Sequence, residues 1–136
     1  MKRRPFFTAF TGLLTGAGLF AFPSWAKIKP NKKIPGGFIH HVFFWFKEPD
    51  NKEKNDAFLK SLTSFLDEVD EIMASHVGLP ANTPREVVDN SYTVSLIVTF
   101  KDKAAHDAYQ EHPAHKRFIK ESSDIWEKVQ IYDVVS

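Results

Sequence analysis

The sequence predicts an α+β protein with the ferredoxin-like element order βαββαβ and a four-stranded antiparallel sheet. Three observations support this: an apolar opening strand at residues 38–47, a long helical repeat after it, and a strand–helix–strand series that ends at residue 135. The opening strand is apolar at both alternating positions, although two helices can cover only one face of such a sheet. A second copy of the chain is the simplest cover for the other face, which predicts a homodimer.

The first 26 residues have the layout of a secretory signal peptide. A basic start precedes a charge-free, mildly apolar stretch, and small residues lie just before the predicted cleavage after Ala26. The alternative is a retained membrane anchor, but three glycines and Pro23 interrupt the stretch. We therefore expect an exported protein, periplasmic or secreted, with no stable membrane anchor after cleavage.

The route of export stays open. Arg3 and Arg4 precede two phenylalanines and resemble a twin-arginine signal, but Lys2 stands where Ser or Thr is usual. A general export signal fits the same residues.

Composition excludes several classes of protein. The predicted leader holds three of the 18 Lys and Arg residues and none of the 17 Asp and Glu residues, so the mature chain carries 15 against 17, a net charge of −2. That balance predicts no nucleic-acid partner. With no cysteine in the chain, neither a disulfide framework nor a thiol nucleophile is available.

The first half of the mature chain predicts a lead-in, a strand and a helix. Residues 27–37 are rich in Lys, Pro and Gly and suggest a flexible lead-in. After the strand, Asp50 and Glu53 have the spacing of a capping box, and apolar residues recur at helical spacing as far as Met73. A loop at residues 78–90 follows, with a short strand near Val77 or at Val87–Val88.

The second half predicts a strand, a helix, a second helical segment and a last strand. Residues 91–100 alternate as a strand, and Asp102 can cap a helix from Lys103 to about Glu111. Pro113 starts a new helical segment because it lacks an N–H group and clashes with the preceding turn. The closing strand is expected at residues 128–135. On the opening strand, His40 and Phe44 share the face toward the helices, whereas His41, Phe43 and Trp45 share the other face.

Three stretches resemble the stress-responsive A/B barrel (Dabb) family: HHVFFWFK (40–47), YTVSLIVTFKDKAAHDAYQEHPAHKRFIKE (92–121) and QIYDVV (130–135). The most specific feature is a His-Pro-x-His motif three residues after a tyrosine. The resemblance covers residues 38–135 and assigns residues 38–136 to a Dabb domain. It implies that two ferredoxin-like subunits pair their sheets into a dimeric α/β barrel.

The resemblance also implies a site. A few members of the family are polyketide cyclases that close an aromatic ring by aldol condensation, without a metal or nucleotide cofactor, using a histidine and a tyrosine. Carried over by position, these are His115 and Tyr109, with His112 and His40 beside them. An imidazole suits the base of an aldol step, and a phenol suits the donor to the enolate oxygen.

From these residues we predict His115 and Tyr109 as catalytic candidates, and His40, His112 and Phe44 as lining of a ligand pocket. His112 has a structural alternative as the cap of the segment that starts at Pro113. The remaining histidines, 76 and 106, are expected to be solvated helix residues.

No metal and no cofactor are predicted. Three imidazoles, those of His40, His112 and His115, could hold Zn²⁺, but no carboxylate or cysteine lies at a supporting spacing. Two functions remain open. One is an exported homodimer that binds a small apolar or aromatic ligand, with a possible stress-related role. The other is a cofactor-independent lyase or cyclase, and the sequence does not decide whether the protein is an enzyme.

Overall fold

The structure is a computed structural model that describes residues 33–136. The predicted signal peptide and residues 27–32 of the predicted lead-in lie outside the described residues. The predicted βαββαβ order is confirmed, with the second helix in two segments. The elements are β1 (Phe38–Phe46), α1 (Lys52–Glu68), β2 (Ala74–Gly78), β3 (Val94–Phe100), α2 (Lys103–Glu111), α3 (Pro113–Ser122) and β4 (Trp126–Val135). Among residues 33–136, no helix has the length and apolar character needed to cross a membrane.

One antiparallel sheet in the order β2-β3-β1-β4 organises the fold. β1 lies between β3 and β4, and its residues alternate strictly between buried and half-buried. The buried set faces the helices, as the period of two along a strand requires. His40 belongs to this set and lies opposite Val98 on β3 and Asp133 on β4.

The core lies between the sheet and the three helices. α1 contributes Phe58, Leu62 and Phe65, which are spaced at three and four residues along one stripe. Aromatic rings dominate this layer, and Phe65 stacks on Phe118 of α3 with ring centroids 5.3 Å apart. The core therefore fixes α3 against α1 as well as against the sheet.

The first helix starts one residue later and ends earlier than its pattern predicted. Its N-cap is Asn51, whose side chain accepts from the backbone N–H of Lys54, so the expected capping box that begins at Asp50 is wrong. The helix ends at Glu68, because Val69 adopts an extended backbone. The apolar periodicity continues to Met73 since residues beyond the helix still pack on the core as the chain turns into β2.

The short strand lies at one of the two predicted places. β2 contains Val77 and pairs with β3, whereas Val87 and Val88 form no strand and Val87 is 80% exposed. His76 is exposed, as expected, but it lies on β2 and not on a helix. A backbone hydrogen bond holds the last residue of the expected flexible lead-in, because the N–H of Gly37 donates to the Phe100 carbonyl at 3.0 Å.

The second face of the sheet carries no helix and is largely aromatic; it is called the outer face below. On β1 its members are half-buried, namely Ile39, His41, Phe43 and Trp45. On β4 its members Tyr132 and Val134 are exposed. Phe43 contacts Tyr92 and Tyr132 edge-to-face, with ring centroids 4.9 and 6.2 Å apart. Tyr92 precedes β3 and packs on the outer face.

The break between α2 and α3 occurs where Pro113 predicted it. Asp102 caps α2 by accepting from the N–H of Ala105 at 2.9 Å. His112 has an extended backbone, and its Nδ1 accepts from the N–H of Ala114 at 3.1 Å, so the imidazole caps α3. Pro113 follows at the first helical position, where its missing N–H costs nothing.

We predict that His112→Ala lowers the free energy of unfolding by about 1 kcal/mol, the usual cost of losing an N-cap side chain. His112→Asn should retain most of the stability, because asparagine caps at least as well. Urea denaturation of the two variants and the wild-type protein measures this. Equal loss of stability in both variants would contradict the capping role.

Candidate functional site

A cavity of about 170 Å³ lies between the α2–α3 pair and the sheet; it is called the α3 cavity below. Most of its wall is apolar, and four polar side chains interrupt the wall. The apolar lining is Val42, Phe44, Leu96, Phe118, Ile119, Trp126, Val129 and Ile131, and the polar lining is His40, Tyr109, Gln110 and His115. Ile119 and Ile131 are 39% and 45% exposed, so they mark its mouth.

Four of the five site residues predicted from the sequence line the α3 cavity: His115, Tyr109, His40 and Phe44. The rings of His115 and Tyr109 have centroids 4.8 Å apart, and those of His40 and Tyr109 are 5.7 Å apart. His112 is not part of the lining, because its imidazole turns back to cap α3. Two helices and one strand, α2, α3 and β1, thus bring two imidazoles and one phenol to a single space.

His115 has one ring nitrogen fixed by the backbone. Its Nδ1 lies 3.1 Å from the carbonyl oxygen of Gln110, an arrangement in which Nδ1–H donates and Nε2 carries the lone pair. Burial lowers the pKa of His115 below its ordinary value of 6.5, and the bond to Gln110 only partly opposes that effect. At neutral pH the ring is therefore a neutral base with Nε2 unused.

His40 is held by a carboxylate on the neighbouring strand. Its Nδ1 lies 2.6 Å from Oδ1 of Asp133, directly across the β1–β4 register. Burial is the largest influence on the pKa of His40 and lowers it, whereas the contact with Asp133 raises it and leaves a net lowering. The neutral ring can donate Nδ1–H to Asp133, which orients the imidazole.

Tyr109 supplies the hydroxyl of the site from the middle of the core. The residue is 1% exposed, and burial raises the pKa of its phenol, with the Asp133 charge adding to the same effect. A phenol with a raised pKa stays protonated at neutral pH and acts as a hydrogen-bond donor. The cavity therefore combines a neutral base with a proton donor.

Two residues next to this site, Asp133 and His106, were not predicted from the sequence. Asp133 lies in the QIYDVV stretch that resembles the family, but local patterns do not predict the β1–β4 register that places it against His40. His106 was expected to be solvated, which is wrong: it is 8% exposed and its ring lies 4.8 Å from that of His40. Its position three residues before Tyr109 on α2 was the signal that could have found it.

Comparison with known proteins agrees with this fold. The stress responsive A/B barrel domain (Dabb) matches residues 38–136. A stress-response A/B barrel domain-containing protein from Arabidopsis thaliana is 26% identical over 97 residues, covering 71% of this chain and 84% of the relative.

Solved structures show the same architecture at lower identity. A dimeric ferredoxin-like protein of unknown function from Thermobifida fusca is 14% identical with a TM-score of 0.62, covering 78% of this chain and 97% of that one. The hydroxynitrile lyase from Passiflora edulis is 18% identical with a TM-score of 0.64, covering 75% of this chain and 95% of the lyase. Together with the family match over residues 38–136, the fold and the site establish that this chain belongs to the stress responsive A/B barrel (Dabb) domain family.

Proposed function

We propose that this Dabb protein is an exported homodimer whose subunits each bind a small, single-ring aromatic or apolar ligand in the α3 cavity. The observation that carries the proposal is the cavity itself, which is apolar along most of its wall and polar at His40, Tyr109 and His115. Ligand sites in proteins commonly have this composition, an apolar cleft with a few convergent polar groups.

The size of the cavity selects the ligand class. A dry apolar cavity of about 150 Å³ is large enough to bind benzene, and the α3 cavity is about 170 Å³. A single ring with one oxygen substituent can fill the apolar part and bring its oxygen to the imidazoles and the phenol.

A larger depression of about 290 Å³ lies on the outer face and is lined partly by Phe43, Trp45 and Tyr132. We assign that surface to the dimer.

The outer face supports the homodimer. Its β1 residues Phe43 and Trp45 are only half-buried within one chain, and Tyr132 and Val134 on β4 are more than half exposed. A contiguous apolar and aromatic surface of this kind on one sheet is typical of an interface. A two-fold pairing of this face with itself buries both copies. The dimeric neighbour from Thermobifida fusca has the same fold and supports this assignment.

Export rests on the residues before the domain. The basic start, the charge-free stretch and the small residues before Ala26 form a signal layout. N-terminal sequencing of the secreted protein should give Lys27 as the first residue, and a membrane-bound chain that retains residues 1–26 would contradict this part of the proposal.

One observation favours catalysis as a second candidate: the neutral His115 and the protonated Tyr109 face the same cavity. In a lyase or aldol step, Nε2 of His115 takes a proton from the carbon next to a carbonyl. The C–H electron pair then forms a C=C bond while the carbonyl π pair moves to oxygen, where the Tyr109 hydroxyl donates to the enolate. This chemistry requires only groups that the cavity contains.

Phe43→Lys should convert the dimer into monomers, because the pairing of two outer faces would bury an unpaired charge. Thr63→Lys is the matched control, since it adds the same charge on the exposed side of α1. Light scattering after size-exclusion chromatography measures the mass, and circular dichroism checks the fold. A wild-type protein that stays monomeric at micromolar concentrations would contradict the homodimer.

The wild-type protein should bind phenol more tightly than benzene, with one site per chain, because the hydroxyl can pair with His115 or Tyr109. His115→Ala should weaken phenol binding about tenfold, the value of one hydrogen bond in a buried site. Val129→Phe should abolish binding by filling the cavity, whereas His112→Asn should leave it unchanged. Isothermal titration calorimetry measures all four proteins. Phenol binding that survives Val129→Phe would place the ligand elsewhere.

If the cavity is catalytic, the protein should accelerate the exchange of the α-protons of acetophenone in D₂O, followed by proton NMR. The rate should be constant above pH 6.5 and fall as the pH drops through the lowered pKa of His115, because protonation of Nε2 removes the base. Tyr109→Phe should slow the exchange without removing the fold. Phenol binding without any acceleration of exchange would leave ligand binding as the function.

A further inference from the structure

A second cluster of chemical groups lies next to the α3 cavity and shares one residue with it. One ring nitrogen of His40, one of His106 and one carboxylate oxygen of Asp133 all lie within 4.8 Å of one another. The three residues come from β1, α2 and β4. The fold thus brings two imidazoles and a carboxylate to one point from three separate elements.

Packing in the core does not by itself explain why position 106 in this cluster is a histidine. Its ring stacks on Phe38 at 4.4 Å and is 8% exposed. Its Nε2 lies 3.1 Å from the side-chain amide of Gln110, but among the described residues its Nδ1 is buried without a hydrogen-bond partner. The nearest carboxylate oxygen on its own helix, that of Asp107, is 3.6 Å from Nδ1, beyond hydrogen-bond distance.

An unpaired buried polar atom costs free energy, so native structures seldom keep one without a reason. A phenylalanine or leucine at position 106 would fill the same space between Phe38 and Phe100 without that cost. A bound ion would instead use one lone pair of the ring and leave the other nitrogen to hydrogen-bond with a neighbour, as ligating imidazoles do. Gln110 can be that neighbour once its side-chain amide turns to present Oε1 to Nε2–H, because its Nε2 now lies 3.1 Å from Nε2 of His106.

We propose that His40, His106 and Asp133 form a binding site for a divalent transition-metal ion, with Zn²⁺ as the best match. Two imidazoles and one carboxylate form a donor set that suits Zn²⁺ and related ions and leaves room for water or a ligand oxygen. Mg²⁺ and Ca²⁺ bind there poorly, because both prefer an all-oxygen environment.

The surroundings of the cluster allow such an ion to enter. The Asp133 side chain is 44% exposed, whereas that of His40 is 4% exposed, so the carboxylate connects the buried imidazoles to solvent. The ion displaces the proton shared by His40 and Asp133. Their contact of 2.6 Å then opens to about 3 Å or more, because two bonds of about 2.1 Å at an angle of 90° or wider separate the ligand atoms by at least that distance.

No metal site was predicted from the sequence, because the candidate set of His40, His112 and His115 had no carboxylate or cysteine at a supporting spacing. The structure separates these three: His112 caps α3, and His115 is tied to the Gln110 carbonyl. The proposed site does not rest on the dimer or on ligand binding, although an ion bound to His40 would lie at the edge of the α3 cavity.

Titration of untagged protein with Co²⁺ tests the proposal, because the visible absorption of Co²⁺ reports its coordination. We expect saturation at one ion per chain, displacement of Co²⁺ by one equivalent of Zn²⁺, and no displacement by Mg²⁺. His106→Leu and Asp133→Asn should each weaken Co²⁺ binding at least tenfold, since losing even an outer-shell partner typically costs that much. His112→Asn removes an imidazole outside the cluster and should bind like the wild-type protein.

A thermal melt with and without Zn²⁺ gives a second readout. An ion that joins β1, α2 and β4 should raise the Tm of the wild-type protein and of His112→Asn, but not that of Asp133→Asn. Asp133→Asn keeps the shape of a partly exposed side chain, so it keeps the test valid if His106→Leu fails to fold. No saturable binding, or equal binding by Asp133→Asn and the wild-type protein, would overturn the proposal.

Discussion

The alternation of side chains along β1 is the constraint on which the rest of the structure depends. β1 is an inner strand of the sheet, so each of its residues is committed to the helix side or to the outer face. His40 and Phe44 line the α3 cavity, whereas Phe43 and Trp45 belong to the surface that we assign to the dimer. A slip of one residue would exchange the two sets and bring His41 under the helices in place of His40. The register of β1 therefore decides which histidine belongs to the site.

The break at Pro113 decides which helical side chains point into the site, as the register of β1 decides it for the sheet. In one continuous helix, residues six apart point in directions that differ by about 120°, so Tyr109 and His115 would not share a cavity. The turn at His112 changes the direction of the chain and lets both rings face the sheet. His112 makes that turn stable by capping α3. His112 therefore contributes to the site indirectly, because the turn that it stabilises lets Tyr109 and His115 face the same cavity.

Local patterns were sufficient to predict the order of elements, the helix break and the helix-side position of His40 and Phe44 on β1. Strand alternation, the cap at Asp102 and the position of Pro113 depend on residues close in sequence. Tyr109 and His115 came from the resemblance to the family, and the structure places both at the cavity. Asp133 was missed because it meets His40 through a contact between residues 93 apart in sequence. The apolar spacing beyond Glu68 misled because a turn packed on the core carries the same periodicity as a helix.

The polar groups on the helix side show how burial prepares the chemistry. Desolvation lowers the pKa of His40 and of His115 and raises that of Tyr109, so all three are neutral at physiological pH. Neutral imidazoles are bases and metal ligands, and a neutral phenol is a donor. The same burial therefore supports ligand binding, enolate chemistry and the coordination of an ion by His40.

A crystal structure of the protein soaked with phenol is the most direct measurement of what the α3 cavity does. We expect the ring to lie against Leu96, Phe118 and Val129, with its hydroxyl toward His115 and Tyr109. Phenol found only on the outer face, or an α3 cavity that stays closed to phenol at saturating concentration, would contradict a ligand site beneath α2 and α3.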